Sequence, residues 1–133
     1  MMTTDGAPTP GRLDELLTAW SQHVDKIKSE VGLSGDDPAV IGDPRIWGAH
    51  DLPAALYIRD GIASMLADPR QVDDPGRRER LARIDETFRA ITVDDQRELL
   101  GRLLNEDLGG RGWWWFRVPS TGPIADELRG YFG

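Results

Sequence analysis

From position 13 to 31 the apolar residues are Leu13, Leu16, Leu17, Trp20, Val24, Ile27 and Val31, at steps of three, one, three, four, three and four. That spacing draws one stripe on a helix of 3.6 residues per turn. Asp14, Glu15, Gln22, Asp25, Lys26 and Lys28 fill the other face, and Gly32 suits the position just past the last turn. The pattern predicts a helix starting near Pro10 or Gly11. A second helix is expected from Asp51 to Ala67. Asp51 suits its N-cap, Pro53 its first turn, and Leu52, Leu56, Ile62, Met65 and Leu66 its buried stripe, with Tyr57 and Ile58 at the edges. A third helix should open on Asp74 with Pro75 behind it and bury Leu81, Ile84, Phe88 and Ile91. In "ITVDD" the spacing Thr92 to Asp95 is that of a capping box for a fourth helix carrying Leu99, Leu100, Leu103 and Leu104. A last helix follows Gly122 or Thr121 and Pro123, docking through Ile124, Leu128, and Tyr131 or Phe132.

Two stretches break this periodicity. Residues 32–50 hold two Asp-Pro pairs and four glycines, and read as a long loop. Val40, Ile41, Ile46 and Trp47 could pack it, and "AVI" at 39–41 allows a short strand. The other stretch is "GGRGWWWFRVPSTGP", Gly109 to Pro123. Its glycines and prolines make it a connector, extended over 113–118. Alternation then puts Trp114, Phe116 and Val118 on one face and Trp113, Trp115 and Arg117 on the other. The sum is an all-α fold: a small compact bundle of four to five helices in a single domain over 11–133, after a disordered tail over 1–10. The repeated "DPR" at 43–45 and 68–70 is too short for a structural repeat and reads as turn chemistry.

Composition narrows the function. The chain has 133 residues, no cysteine and a net charge of −7, from 23 acids against 16 bases. Without cysteine there is no disulfide, thiolate metal site or cysteine nucleophile. With no apolar leader and no long apolar run, the expected place is the cytoplasm. The acidic balance argues against a nucleic-acid partner and favours a basic protein. Fourteen of the 16 bases are arginine, which fits a bacterial gene of high GC content.

No catalytic signature emerges. His23 and His50 stand far apart, and the adjacent acids Asp36/Asp37, Asp73/Asp74, Asp94/Asp95 and Glu106/Asp107 are explained mostly as helix caps and breaks. Ser34 lacks the frame of a nucleophile elbow, and "GGRG" fits no nucleotide-binding fingerprint. Neither a metal nor a cofactor is expected. Two readings of the tryptophan run stay open. It wedges between helices with both faces covered, or Trp113 and Trp115, with Arg111 and Arg117, form a partner-binding patch. Self-association could use the same patch. A rival reading places a small-ligand or enzyme pocket around Trp47, His50, Tyr57, Arg59 and the run. The small, acidic, cysteine-free helical build is similar in general character to bacterial immunity or antitoxin proteins, a likeness that carries no motif and no residues. The leading expectation is a protein-binding module.

Overall fold

In the computed structural model α1 spans Pro10–Glu30, and the residues described are 10–33, 40 and 42–132. Residues 1–9 of the expected tail and most of the "AVI" strand therefore lie outside the described residues. Leu13, Leu17, Trp20, Val24 and Ile27 are almost wholly buried, as the stripe requires. Against this stripe pack α2, Leu52–Ala67, and α3, Pro75–Ala90. Asp74 caps α3 as expected, accepting from the amides of Gly76 and Arg77. No helix among the described residues is long and apolar enough to cross a membrane.

After α3 the chain departs from the expected capping box. Thr92–Asp94 form a strand, β1, which pairs antiparallel with β2, Arg117–Pro119, in the register Thr92 to Pro119, Val93 to Val118 and Asp94 to Arg117. Thr92 is taken out of the capping role because its hydroxyl donates back to the Phe88 carbonyl (2.7 Å). The cap of α4, Leu99–Leu104, falls instead to Asp95, whose two carboxylate oxygens accept from the amides of Leu99 (2.8 Å) and Leu100 (3.0 Å). Some outward backbone groups of the two-stranded sheet are occupied or missing. Arg117 donates to the Thr92 carbonyl (2.7 Å) and the Gln96 amide to that of Asp94 (3.0 Å), while Pro119 has no N–H to offer.

The last helix, α5, runs Pro123–Phe132 and buries Ile124 and Leu128, with Phe132 against the core and Tyr131 exposed. Its entry depends on Gly122, at φ +98°, where a Cβ would lie 2.7 Å from the Glu30 carbonyl and 2.8 Å from the Val31 Cα. Only glycine satisfies both the dihedral and the approach. Thr121 ties the same point to α1 by donating to the Val31 carbonyl (2.6 Å).

Two smaller expectations are corrected. Leu66 is 40% exposed because the buried stripe of α2 runs through Leu52, Ala55, Leu56, Arg59 and Ile62 and has rotated away by the last turn. The loop over 32–50 is not structureless at its end, where Ala49–Asp51 make a 3-10 turn. Trp47 anchors it, its amide donating to the buried Glu30 carboxylate (3.0 Å) and its ring tilted against His23. Both "DPR" segments form the same turn, with the aspartate carboxylate accepting from the backbone and the guanidinium of the arginine two residues on. Those contacts hold Asp43 and Asp68 at a pKa of about 2, below the ordinary 3.8.

Candidate functional site

Three adjacent indoles cannot all face one small core, and the chain resolves this by curling. Trp113–Phe116 form a 3-10 turn, closed by the Trp115 amide on the Gly112 carbonyl (3.1 Å), and only Arg117–Pro119 are extended. The expected extended segment over 113–118 is thus half right. A 3-10 turn has about three residues per turn, so positions 113 and 116 eclipse while 114 and 115 point elsewhere. Trp114 and Trp115 accordingly go inward, at 6% and 0% exposure, Trp113 is half-buried, and Phe116 is left 43% exposed. Gly112 makes this fold-back feasible, since a Cβ there would lie 2.3 Å from the Trp114 ring.

Burying an indole requires a partner for its N–H. One acceptor serves two. The Nε1 groups of Trp114 and Trp115 both donate to Asp60 Oδ1, each at 2.8 Å. The neighbouring Arg59 turns to Asp85, making a two-pronged pair at 3.0 and 3.0 Å, and Trp20 Nε1 donates to the same carboxylate at 3.0 Å. Arg59 and Asp85 are 7% and 6% exposed. A buried pair is tolerable only when its hydrogen bonds are satisfied, and here Trp20 supplies the third. Three guanidinium groups lie on the run itself: Arg59 over Trp114 (4.2 Å), Arg89 over Trp113 (3.8 Å) and Arg111 over Trp115 (4.6 Å). Each such stack is worth about 0.5–2 kcal/mol. Consecutive residues of α2, Arg59 and Asp60, thus tie α3 on one side and the tryptophan turn on the other.

The expected contact set is therefore split. Trp115 is 0% exposed, its N–H donating to Asp60 and its ring against Tyr57 (4.9 Å, edge-on) and Arg111, and it enters only as lining of the groove beside α4. Trp113 keeps a partly open face. Arg111 pairs with Glu106 (2.6 Å), and Arg117 pairs with Asp94 (3.0 Å) and bonds Thr92 Oγ1 (2.8 Å), so both brace the fold. Of the rival pocket set, Tyr57 and Arg59 lie against the run, the latter over Trp114 (4.2 Å), while Trp47 and His50 have other ring partners. Trp47 meets His23, His50 meets Tyr131, Tyr57 meets Trp115, and Arg59 is closed off by Asp85. The grooves along α4, α5 and β1 are lined by none of these four.

What the run does present outward is Phe116, at the lip of a groove of about 670 Å³ beside α4. Its apolar lining is Leu108, Trp115 and Phe116; its charged lining is Asp95, Glu98, Glu106 and Asp107 against the single base Arg102. Arg102 lies over the Phe132 ring (4.7 Å). Asp95 is engaged in capping, Glu106 with Arg111, and Asp107 with the Gly109 amide (2.9 Å). Glu98 is exposed, and its carboxylate makes no hydrogen bond or ion pair among the described residues, while its backbone N–H donates to the Asp95 carbonyl (3.1 Å). It also takes a left-handed backbone (φ 54°), as does Asn105 (φ 54°) at the other end of α4. Asparagine tolerates this conformation; a glutamate there carries a cost of about 1 kcal/mol.

Phe116, Leu108 and Glu98 were not singled out by the sequence. A 3-10 reading of the run would have found Phe116. Arg59 and Asp85 did leave a signal: each is a charge inside an otherwise apolar stripe, Leu56–Arg59–Ile62 and Leu81–Asp85–Phe88. No protein-family model matches the chain, and neither a curated protein nor a solved structure matches it.

Proposed function

We propose that this chain is a non-enzymatic protein-binding module for a basic partner, engaged at the open end of the tryptophan turn. The observation that carries the reading is Phe116, a large aromatic left exposed beside a carboxylate-rich groove in a chain of net charge −7. An aromatic held on a rigid turn offers contact area at low entropic cost, and acidic surroundings steer a basic partner to it. The buried indoles support the reading by fixing that turn rather than by touching the partner. A small acidic protein that masks a basic toxin domain is the form of this role that the charge and helical build suit. The test is a photo-cross-linking residue at position 116, with a second at position 72 (Val72, 70% exposed and outside the groove) as control. Extract of the source cells should yield one basic protein cross-linked at 116 and not at 72. Equal labelling at both positions, or none at 116, refutes the proposal.

A further inference from the structure

We infer that the groove beside α4 seats a short cationic segment of the partner that carries one large apolar side chain, set against Leu108 and Phe116. The inference rests on the binding-module reading and names its occupant. Three observations point the same way. The volume, about 670 Å³, falls in the range of about 300–1,000 Å³ usual for sites that enclose a ligand, enough for a few side chains of an extended segment. The apolar part is unpartnered at Phe116, which is 43% exposed, while Leu108 and Trp115, which line the same groove, are buried. The charged part is mainly acidic, four carboxylates, of which Glu106 already pairs with Arg111, against Arg102, which lies on Phe132.

These features select the occupant by elimination. A purely apolar ligand would bury the Glu98 carboxylate beside it without a counter-charge, which is costly. A small hydrophilic cation would leave Phe116 and Leu108 unused. A metal ion is also a poor match, because among the described residues no group of three or more His, Cys, Asp or Glu is placed to hold one. Spread acids around an apolar floor instead match lysines or arginines spaced on either side of a leucine-like residue. Glu98, exposed and unpaired, is the carboxylate best placed to meet such a cation without first giving up a bond.

The probe is a nine-residue peptide with leucine at its centre and lysine elsewhere, titrated into the isotope-labelled full chain and followed by amide NMR shifts. Companion peptides replace the leucine by glycine, or the lysines by glutamate. The lysine–leucine peptide should shift amides in 98–109 and at Phe116, and bind roughly tenfold tighter than its glycine form, the effect of burying one leucine side chain. The glutamate peptide should not bind. Phe116→Ala should abolish the tenfold discrimination. Glu98→Lys should weaken both lysine peptides about fivefold at low salt, and less at high salt, where exposed charges are screened. Equal affinity for the leucine and glycine peptides, discrimination retained in Phe116→Ala, or shifts confined to other surfaces would overturn the inference. If position 116 cross-links a partner while the lysine–leucine peptide leaves the groove amides unmoved, the occupant named here is wrong and the module reading survives. If both experiments fail, both readings fall.

Discussion

Replacing Asp60 by alanine removes one carboxylate and strands two indoles. Trp115 is fully buried and Trp114 only 6% exposed, and both N–H groups donate to the same Asp60 oxygen at 2.8 Å. A hydrogen bond to a charged group is worth about 1.5–3 kcal/mol, and a buried donor left without an acceptor forfeits its solvation. Two such bonds give about 3–6 kcal/mol. Asp60 is itself only half-buried, so water can enter the vacated space, and the lower end, about 3 kcal/mol, is the expected loss. For a chain of this length that is roughly 10 °C in Tm. Asp60→Asn keeps a carbonyl oxygen in the same place and should cost only about 1 kcal/mol. Urea unfolding followed by tryptophan fluorescence would read all three proteins, with the emission of the alanine variant shifted to the red. An Asp60→Ala protein that unfolds within about 0.5 kcal/mol of the wild type, or an asparagine variant less stable than the alanine one, would refute this role for Asp60.

The buried Arg59–Asp85 pair gives a second expectation. Arg59→Met should cost about 3–5 kcal/mol by leaving a buried carboxylate with only Trp20 as donor, and adding Asp85→Asn should recover part of the loss, read as a rise in the urea midpoint. Gly122→Ala should cost at least about 2 kcal/mol because its Cβ meets the α1 backbone at positive φ, whereas Gly11→Ala, with open space around it, should raise Tm slightly. The carboxyl carbons of Asp43 and Asp68 should titrate in NMR with midpoints of about 2 and return toward 3.8 in Arg45→Ala and Arg70→Ala. Their folded values are depressed, so whatever they add to stability is present above the ordinary carboxylate pKa and fades as pH falls from about 4 toward 2.

The helices were legible because burial on one face leaves a period, and α1, α2 and α3 begin within a residue or so of where apolar spacing and caps placed them. The tryptophan turn was harder. Period-two and period-3.6 readings both predict that adjacent indoles diverge, but neither says which one turns out. That choice was made by Asp60 from α2, a residue more than fifty positions away, and by the absence of a Cβ at Gly112. The same applies at Thr92. Its spacing to Asp95 imitates a capping box, yet pairing with β2 is a long-range event that local spacing does not record. The groove combines α4, Leu108 and the end of the turn, so its residues carried no shared sequence pattern. Of the pocket set, Tyr57 and Arg59 do meet the run, at Trp115 and Trp114, whereas His50 packs on Tyr131, because proximity in sequence does not fix which neighbour a side chain finds.

The central claim is that the indoles of the run hold the fold while Phe116 is the residue offered outward. Parallel urea unfolding of Trp115→Ala and Phe116→Ala tests it most directly. The structure predicts a loss of about 3–5 kcal/mol for the fully buried Trp115 and a change within about 0.5 kcal/mol for the half-exposed Phe116. A Trp115→Ala protein as stable as the wild type, or a Phe116→Ala protein destabilised to the same degree, would contradict the account.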